Sequence, residues 1–443
     1  MADPVIVPRA DHPISRKDID SDALRVLYRL HQGQHAAYLV GGSVRDLILG
    51  RRPKDFDIGT SAHPYQIKRL FRNCWIIGRR FRLAHIKFGT KTIEVATFRK
   101  NIPDVSPDAE GAPPPVEEPA VVATSPADPA IIHRDNTFGT PEEDAFRRDF
   151  TINGLFYDIA TFSVIDFVGG LGDLERRVIR SIGDPHVRFV EDPVRMLRAA
   201  VLGARLGFDL DEPVLEAIAR HRSLILKASP ARLMEEYYKI LRSGSAESSF
   251  RALKRLRLLE LMTPEVAAAG DSVWESLARL DTYRQRFPEA PPELTNTILV
   301  GSLLVPMGAL TKPNGPHHAR TEAEARHDRV SFGMLAVAKK DLERLKHLLM
   351  IVPKLTDPDL PPRVARGLAH RPAFIDALSW SEIFGEISAA TIAHWHHQRH
   401  QRPPAPSEHE PGEPPADQPP GQRRRRRRRR RRGRGPRPPQ PPQ

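Results

Sequence analysis

Two carboxylates separated by one residue, Asp55 and Asp57, lie near the end of the segment "YLVGGSVRDLILGRRPKDFDIGT". If they belong to a strand, residues i and i+2 point to the same face, with Cβ atoms about 7 Å apart. Carboxylates so placed repel each other unless a cation lies between them, and oxygen ligands suit Mg²⁺. Glu94 in "TIEVATF" supplies a third carboxylate from a neighbouring predicted strand. Paired metal ions held in this way are a recurrent means of transferring phosphoryl or nucleotidyl groups.

An isolated Asp-x-Asp is weak evidence, because a solvated strand end has the same pattern. The glycines upstream strengthen the metal interpretation. Gly41 and Gly42 follow a predicted strand and precede a predicted helix, so backbone N–H groups at the helix start can face a phosphate. Arg45 lies in the first helical turn and can pair with phosphate oxygens. A phosphate cradle shortly before a metal-binding pair is much rarer than either feature alone.

A second polar segment, "RRDFTIN", runs from Arg147 to Asn153. It places two arginines, an acid and an amide at a predicted helix end beside a strand. For Arg147 a solvated helix terminus is an equally good interpretation. Arg148, Asp149 and Asn153 suit a ribose and a triphosphate, which offer hydroxyls and anionic oxygens together.

A third segment, "EDPVRMLRA", begins with an N-cap pattern in which Asp192 is the cap and Pro193 the first helical residue. Asp192 and Arg195 are three residues apart and therefore share a helical face, as does Arg198. A carboxylate acceptor beside a guanidinium donor matches the base edges of adenine and cytosine. Guanine and uracil present the reverse order and leave the carboxylate facing a carbonyl, which is costly. This pair can therefore select ATP or CTP without a template.

The elements that must position these residues are strands and short helices. Residues 36–100 alternate short apolar runs with turn signals, which predicts strands at "AAYLV", "DFDIGT", "CWIIG", "RLAHIKF" and "TIEVATF". Helices are predicted at Ser43–Leu49 and Pro64–Phe71, and a capped helix start at Thr140. "SVIDFV" and "RVIRSIG" are predicted to close the sheet. From about Pro185 to residue 400 the pattern is helical, so the predicted fold class is α+β, with a mixed-sheet head followed by all-α regions.

The same patterns divide the chain. We predict a flexible N-terminus at 1–20, a head at 21–184 with a disordered Pro- and Ala-rich insert at 103–130, a helical segment at 185–260, a helical body and tail at 261–400, and a disordered tail at 401–443.

Composition limits the partners and the compartment. The single cysteine, Cys74, excludes an intramolecular disulfide, and no apolar run approaches the roughly 20 residues of a membrane span, so a soluble, cytoplasmic protein is expected. The net charge is +13, but 12 arginines lie in the tail, ten of them in the run from Arg423 to Arg432. Since 13 − 12 leaves about +1, the rest of the chain is close to neutral. The arginine run predicts contact with polyanions, with improved solubility as the alternative.

The three segments, in this order, closely resemble the motifs of the bacterial poly(A) polymerase and tRNA CCA-adding enzyme family, whose catalytic domain is related to that of DNA polymerase beta. A fourth segment, "SPARLMEEYYKIL", fits the family pattern S-x-x-R-x-x-x-E-x-x-K through Ser229, Arg232, Glu236 and Lys239. Ala231 departs from the glutamate that many members carry. The resemblance covers about residues 36–260, and it implies that the "EDPVR" and "SPARL" helices form a neck that recognises the incoming base.

The resemblance also implies roles for particular residues. Asp55 and Asp57 would be the catalytic, metal-binding pair, with Glu94 or Asp149 as a third catalytic acid. The nucleotide would be bound by Gly41, Gly42, Arg45, Arg148, Asn153, Asp192, Arg195, Arg198 and Arg232. The cofactor would be Mg²⁺, with Mn²⁺ as the alternative, and ATP the substrate.

The implied reaction is attack of an RNA 3′-hydroxyl on the α-phosphorus of ATP, with release of pyrophosphate. The stretch "GRRFRLAH" resembles the poly(A) polymerase branch, and the arginine tail suits a polymerase that holds many unrelated RNA ends. A CCA-adding enzyme is the alternative within the family, and a catalytically silent RNA-binding scaffold is the alternative outside enzymes. The implied partners are RNA 3′ ends, including those of mRNA, and RNA-decay proteins.

Overall fold

A computed structural model describes residues 3–78, 82–100, 138–309, 332–357, 359–385 and 387–400. The predicted disordered segments at 103–130 and 401–443 lie outside the described residues, as do residues 79–81 of the "GRRFRLAH" stretch.

The head contains a mixed sheet with eight strands in the described part of the chain. In sheet order these are β1 (Val5–Val7), β8 (Ser163–Asp166), β7 (Leu155–Asp158), β2 (Ala37–Val40), β3 (Ile58–Thr60), β6 (Lys91–Thr97), β5 (Leu83–Phe88) and β4 (Cys74–Ile77). β3 and β6 pair in parallel, and the other neighbours pair antiparallel. The predicted mixed α+β architecture is confirmed, and so are the five strands expected between residues 36 and 100.

Two expectations were wrong. Residues 3–20 are not flexible, because β1 pairs with β8, and Ile14 and Ile19 are buried in the core. "RVIRSIG" does not close the main sheet. Its strand β9 (Val178–Ile179) pairs instead with β10 (Asp209–Leu210) in a separate parallel pair. Strand propensity is local, whereas the choice of partner depends on where the chain returns.

Helix α1 (Ser21–Gln32) precedes β2, α2 (Gly42–Ile48) lies between β2 and β3, and α3 (Pro64–Leu70) lies between β3 and β4 in sequence. α1 and α3 pack against strands β2 to β5, and their buried residues join the cluster that contains Ala84, Ile86, Ile93 and Val95. Alternate residues of β5 and β6 therefore point to the opposite face, where Glu94 is exposed. One face of the sheet is thus covered by helices, and the other face carries polar side chains at β5 and β6 but a second buried apolar cluster around Val40, Phe98 and Phe156.

Helical structure dominates after β8. The described helices are α4 (Pro141–Phe146), α5 (Gly170–Arg176), α6 (Pro185–Glu191), α7 (Val194–Leu206), α8 (Glu212–His221), α9 (Pro230–Leu241), α10 (Ala246–Arg255), α11 (Leu259–Met262), α12 (Pro264–Ala267), α13 (Asp271–Gln285), α14 (Asn296–Leu304), α15 (Lys339–Leu355), α16 (Pro362–Ala369), α17 (Phe374–Phe384) and α18 (Ala389–His400). α4 starts with the expected capping box between Thr140 and Glu143. Of the helices in the described part of the chain, none combines the length and apolar character needed to span a bilayer.

Candidate active site

The two aspartates lie immediately before β3 rather than inside it, since the strand begins at Ile58. The backbone is nevertheless already aligned with the sheet, because the Val40 N–H donates to the Asp57 carbonyl at 3.1 Å. Phe56 is buried between them, while both aspartates are exposed. The predicted same-face placement therefore holds without formal strand structure.

The parallel register brings a third carboxylate to this point. Ile58 is paired with Val95, so Asp57 continues the alignment opposite Glu94 on β6. Although the Asp57 side chain keeps contact with solvent, it sits in a cleft lined by many protein atoms. Burial in this cleft, together with the negative charges of Glu94 and Asp55, raises the pKa of Asp57 to about 6, against the opposing charge of Arg148. Folding thus brings the carboxylates of Asp55, Asp57 and Glu94 close enough to repel one another.

A divalent cation would relieve this repulsion, and carboxylate oxygens are the donors that Mg²⁺ and Mn²⁺ prefer. Among the described residues, no three His, Cys, Asp or Glu side chains already converge as a finished metal site. Asp55 is 70% exposed and pairs with Lys54 Nζ at 3.3 Å, and such a surface pair is weak enough for a bound cation to replace. The electrostatics of Asp55, Asp57 and Glu94 therefore fit a cation bound in an open cleft.

The glycine turn leads from β2 into α2 and lies against the "RRDFTIN" segment. Gly41 has φ of +72°, a conformation that L side chains rarely adopt, and a Cβ there would come within 2.9 Å of the Arg148 Nη1 atom. The turn therefore requires glycine both for its backbone and for the approach of Arg148. Arg148 in turn faces Asp57 closely enough to oppose the rise in its pKa.

The Arg45 side chain is not placed as its predicted contact with phosphate requires. Its guanidinium is buried, donates from Nε to Asp46 Oδ1 at 2.8 Å, and donates from Nη1 to the side-chain oxygen of Asn153. Gly42 leaves room for this guanidinium, since a Cβ there would lie 3.4 Å from the Arg45 Nη2 atom. In this geometry Arg45 fixes Asn153, and direct phosphate contact by Arg45 stays a prediction.

Asp144 holds Arg148 in place and was missed by the sequence interpretation. Arg148 donates from Nη2 to Asp144 Oδ2 at 2.8 Å, and Arg147 donates from Nε to Asp144 Oδ1 at 2.9 Å. Burial alone would raise the pKa of Asp144, but the two guanidiniums outweigh it and hold that pKa below its usual value. The signal was present in the spacing, since Asp144 precedes the two arginines by three and four residues on one helical face.

Asp149 is buried and lies beside Asn153 and Arg198. Its Oδ1 accepts from the Phe150 N–H at 2.9 Å and from Asn153 Nδ2 at 3.2 Å, and its Oδ2 lies 2.7 Å from Arg198 Nη2. Of the two candidates for a third catalytic acid, Glu94 and not Asp149 acts on the pKa of Asp57. Asp149 thus lies between Asn153 and Arg198, and a role of Asp149 as a catalytic acid stays a prediction.

The neck helices meet through a bidentate ion pair. Arg232 on α9 donates from Nη1 and Nη2 to the two carboxylate oxygens of Asp192, at 2.9 and 2.6 Å. Helix α7 begins at Val194, two residues after the predicted cap, and its N–H donates to Asp192 Oδ1 at 3.2 Å. Such bidentate pairing fixes the plane of the carboxylate. Asp192 is thereby oriented by a residue forty positions away in sequence.

Arg195 is held by the preceding helix. It donates from Nη1 to Glu191 Oε2 at 2.9 Å and to the Arg188 carbonyl at 3.0 Å. Arg188 was missed by the sequence interpretation, and it donates from Nη2 to the carbonyls of Arg147 and Arg148 at 2.8 and 2.7 Å. Burial lowers the pKa of Arg188, as does the nearby charge of Arg195. Arg188 thus ties the neck helix α6 to the "RRDFTIN" segment of the head.

The site therefore combines a carboxylate cleft, a glycine turn with an adjacent guanidinium, and a helical neck that presents Asp192 and Arg195. The chain matches two family models, one described as "Poly A polymerase head domain" over residues 37–180 and one described as "Probable RNA and SrmB- binding site of polymerase A" over residues 207–269. The mixed sheet and most of this site lie within the residues that match the poly(A) polymerase head-domain model.

The chain is similar to Poly(A) polymerase I of Salmonella typhimurium, with 46% identity over 276 residues that cover 61% of this chain and 57% of the relative. It is less similar to the CCA-adding enzyme of Bacillus subtilis, with 35% identity over 238 residues and 54% of each chain covered. Among solved structures, the CCA-adding enzyme of Bacillus stearothermophilus in complex with CTP has a TM-score of 0.55 at 23% identity, covering 85% of this chain and 80% of that one. That likeness concerns the fold alone.

Two regions of the chain, residues 37–180 and 207–269, thus match domain models of poly(A) polymerases, and together they cover somewhat less than half of the chain. The matched region spans somewhat more than half the length of the curated poly(A) polymerase, 57%.

Proposed function

We propose that this protein is a template-independent RNA adenylyltransferase, which transfers AMP from ATP to RNA 3′-hydroxyls and releases pyrophosphate. The observation that carries the proposal is the carboxylate cleft at Asp57, whose raised pKa marks a site built to receive a cation. The higher identity to Poly(A) polymerase I than to the CCA-adding enzyme supports adenylation over CCA addition.

In the proposed reaction, Asp55, Asp57 and Glu94 hold the divalent metal, Mg²⁺ or Mn²⁺. When bound, the metal supplies positive charge beside the reacting phosphate. Arg148, fixed by Asp144 next to the Gly41 turn, pairs with triphosphate oxygens, and the backbone of that turn faces the phosphates. Asn153 and Asp149 lie next to Arg148 and face the ribose.

Base choice is assigned to the neck. Arg232 donates to both oxygens of Asp192, and the Val194 N–H also donates to Oδ1, so Oδ2 retains the capacity to accept a second hydrogen bond. Asp192 can therefore accept from the amino group of adenine, while Arg195 donates to the adjacent ring nitrogen. Arg198, paired with Asp149, connects this recognition to the head.

The proposed partners are RNA 3′ ends, those of mRNA among them, with RNA-decay proteins as further partners, and the proposed compartment is the cytoplasm. Support for the RNA comes from the match of residues 207–269 to a model described as an RNA and SrmB binding site.

The first experiment supplies purified protein and Mg²⁺ with an unstructured RNA oligonucleotide and one nucleoside triphosphate at a time. Long products with ATP alone are expected. Addition limited to CCA on tRNA lacking its 3′ end would assign the CCA-adding activity instead, and RNA binding without any addition would leave a silent scaffold.

The variant that tests the site is Asp55→Ala combined with Asp57→Ala. Because both residues are exposed, the double variant should keep its fold and its affinity for RNA while losing nucleotide addition by at least 1,000-fold, about 4 kcal/mol in the barrier. Retained activity would refute the assignment of these carboxylates.

A further inference from the structure

A row of side chains crosses the polar face of the sheet from the carboxylate cleft to its edge. Asp57 aligns with Glu94 on β6, Glu94 is paired with His85 on β5, and His85 is paired with Trp75 on β4. The His85 Nε2 atom lies 3.6 Å from Glu94 Oε1, so these two side chains in the middle of the row are in contact range. Since adjacent strands lie about 4.8 Å apart, Trp75 is three strand spacings, or about 14 Å, from Asp57.

The edge of this row is unusually apolar for an exposed surface. Trp75 is 50% exposed and Ile77, two residues along the same face, is also exposed. The Lys87 ammonium lies 5.1 Å from the centre of the Trp75 ring, so a positive charge stands beside the indole. An exposed aromatic ring with an adjacent cation is the combination that binds single-stranded nucleic acid, with the ring under a base and the cation near the backbone.

We propose that Trp75 and Lys87 form a subsite for the RNA primer, in which the indole stacks on a base several nucleotides before the reactive 3′ end. This inference rests on the proposed function, because the Asp57 cleft fixes where the 3′-hydroxyl must lie. The row of side chains then gives the primer a path along the polar face of the sheet. The subsite reads no sequence, since every base has a stacking face, and it therefore suits an enzyme that extends many RNA ends.

The distance defines which nucleotides are candidates. Stacked nucleotides advance about 3.4 Å each, so 14 Å corresponds to about four stacked bases and to fewer in an extended strand. The stacked base is therefore among the four nucleotides that precede the terminal one. Lys87 lies on β5 beside Trp75 and is placed to meet a phosphate of the same segment.

The test compares Trp75→Ala with Trp75→Phe and with a matched control, Tyr65→Ala. Tyr65 on α3 is an exposed aromatic residue too, at 59%, with Arg69 5.9 Å from its ring centre, but its helix packs on the other face of the sheet. Loss of one base–aromatic stack should raise the KM for an oligo(A) primer by about 5- to 100-fold in Trp75→Ala. The KM for ATP should stay unchanged, Trp75→Phe should recover most of the loss, and Tyr65→Ala should behave as wild type.

A primer series then locates the base. One abasic nucleotide is placed in turn at each of the four positions before the 3′ terminus. At one of these positions the abasic nucleotide should raise the KM of the wild-type protein for primer. At that same position it should leave the KM of Trp75→Ala for primer unchanged.

The outcomes separate this inference from the proposed function. An active wild type whose primer KM is the same in Trp75→Ala overturns the subsite alone. An equal rise of the KM for primer and the KM for ATP in Trp75→Ala also overturns the subsite, because it indicates a structural role of Trp75. So does an abasic nucleotide that raises the KM for primer as much in Trp75→Ala as in the wild type at all four positions. A wild type that adds no nucleotide overturns the proposed function.

Discussion

At the scale of single residues, Asp57 is a carboxylate that folding makes harder to ionise. Its pKa rises from 3.8 to about 6, because burial and two neighbouring carboxylates disfavour the charged form. Between these two values the folded chain binds a proton that the unfolded chain has released. The free energy of unfolding of the metal-free protein therefore falls as pH rises through this window and stays lower above it.

This sign gives a stability prediction for Asp57→Asn. Removing the charge should raise the free energy of unfolding of metal-free protein by about 1 kcal/mol at pH 7.5, a value below the full shift because the side chain keeps solvent contact. At pH 4 or lower the difference should vanish. Urea unfolding in EDTA at both pH values measures it, with Glu175→Gln, an exposed carboxylate on α5, as the control that changes at neither pH.

A loss of stability in Asp57→Asn at pH 7.5 would contradict the electrostatic account. Excess Mg²⁺ should stabilise the wild type more than this variant, because a bound cation cancels the repulsion that the variant has already lost.

Single residues also show which features of the site can be predicted from the sequence. The Asp-x-Asp spacing and the glycine pair predicted the cleft and the turn, since both depend on neighbours in the chain. The surroundings of Arg45 could not be predicted in this way, because its partner Asn153 is 108 residues away and meets it only when α2 packs beside the "RRDFTIN" segment.

At the scale of elements, the turn between β2 and α2 and the link from α6 to the head position the site. The turn places backbone beside Arg148, and Arg188 attaches the neck to the carbonyls of Arg147 and Arg148. A shift of α6 would therefore move Arg148, which is proposed to bind phosphate, together with Arg195, which is proposed to bind the base.

Two glycine variants separate backbone strain from displacement of Arg148. Gly41→Ala and Gly50→Ala both place a Cβ on a backbone of positive φ, +72° and +65°, and each should lose about 1 kcal/mol of stability. Only Gly41→Ala also crowds the Arg148 guanidinium, whereas a Cβ at Gly50 meets open space. Activity should fall about tenfold or more in Gly41→Ala alone.

Urea unfolding and steady-state kinetics with ATP check both parts of this prediction. Equal activity in the two variants would mean that Arg148 has no role at the phosphates.

At the scale of the whole molecule, charge is distributed unevenly. The net charge of the chain is +13, and the tail contributes 12 arginines to it. The remainder of the chain is close to neutral. Binding of RNA by the folded part must therefore come from local placement, as at Arg148 and Lys87, whereas the tail offers bulk attraction.

Deleting residues 422–443 tests this division. If all 12 tail arginines meet phosphates of single-stranded RNA, the slope of log K against log salt should become less steep by at most about 8 on deletion. The choice of nucleotide should not change. The control variant lacks residues 401–421 instead and keeps the arginine run, so its slope should equal that of the full chain. If the slope is unchanged in each of the two deletion variants, the tail has no role in RNA binding.

The sequence by itself determined the local features of this protein. Strands, capped helices, the glycine turn, the two aspartates and the polarity of the tail follow from residue types and spacing within a few positions of one another. The division into domains stays a prediction, although the helical pattern from Pro185 was correct.

Only the tertiary structure decided which distant residues share the site. The parallel pairing of β3 and β6 brings Glu94 to Asp57, the approach of α9 to α7 joins Arg232 to Asp192, and the order of the strands aligns Trp75 with the cleft. These contacts depend on strand partners and helix packing, which are set by the burial of the whole core and not by any short stretch of sequence.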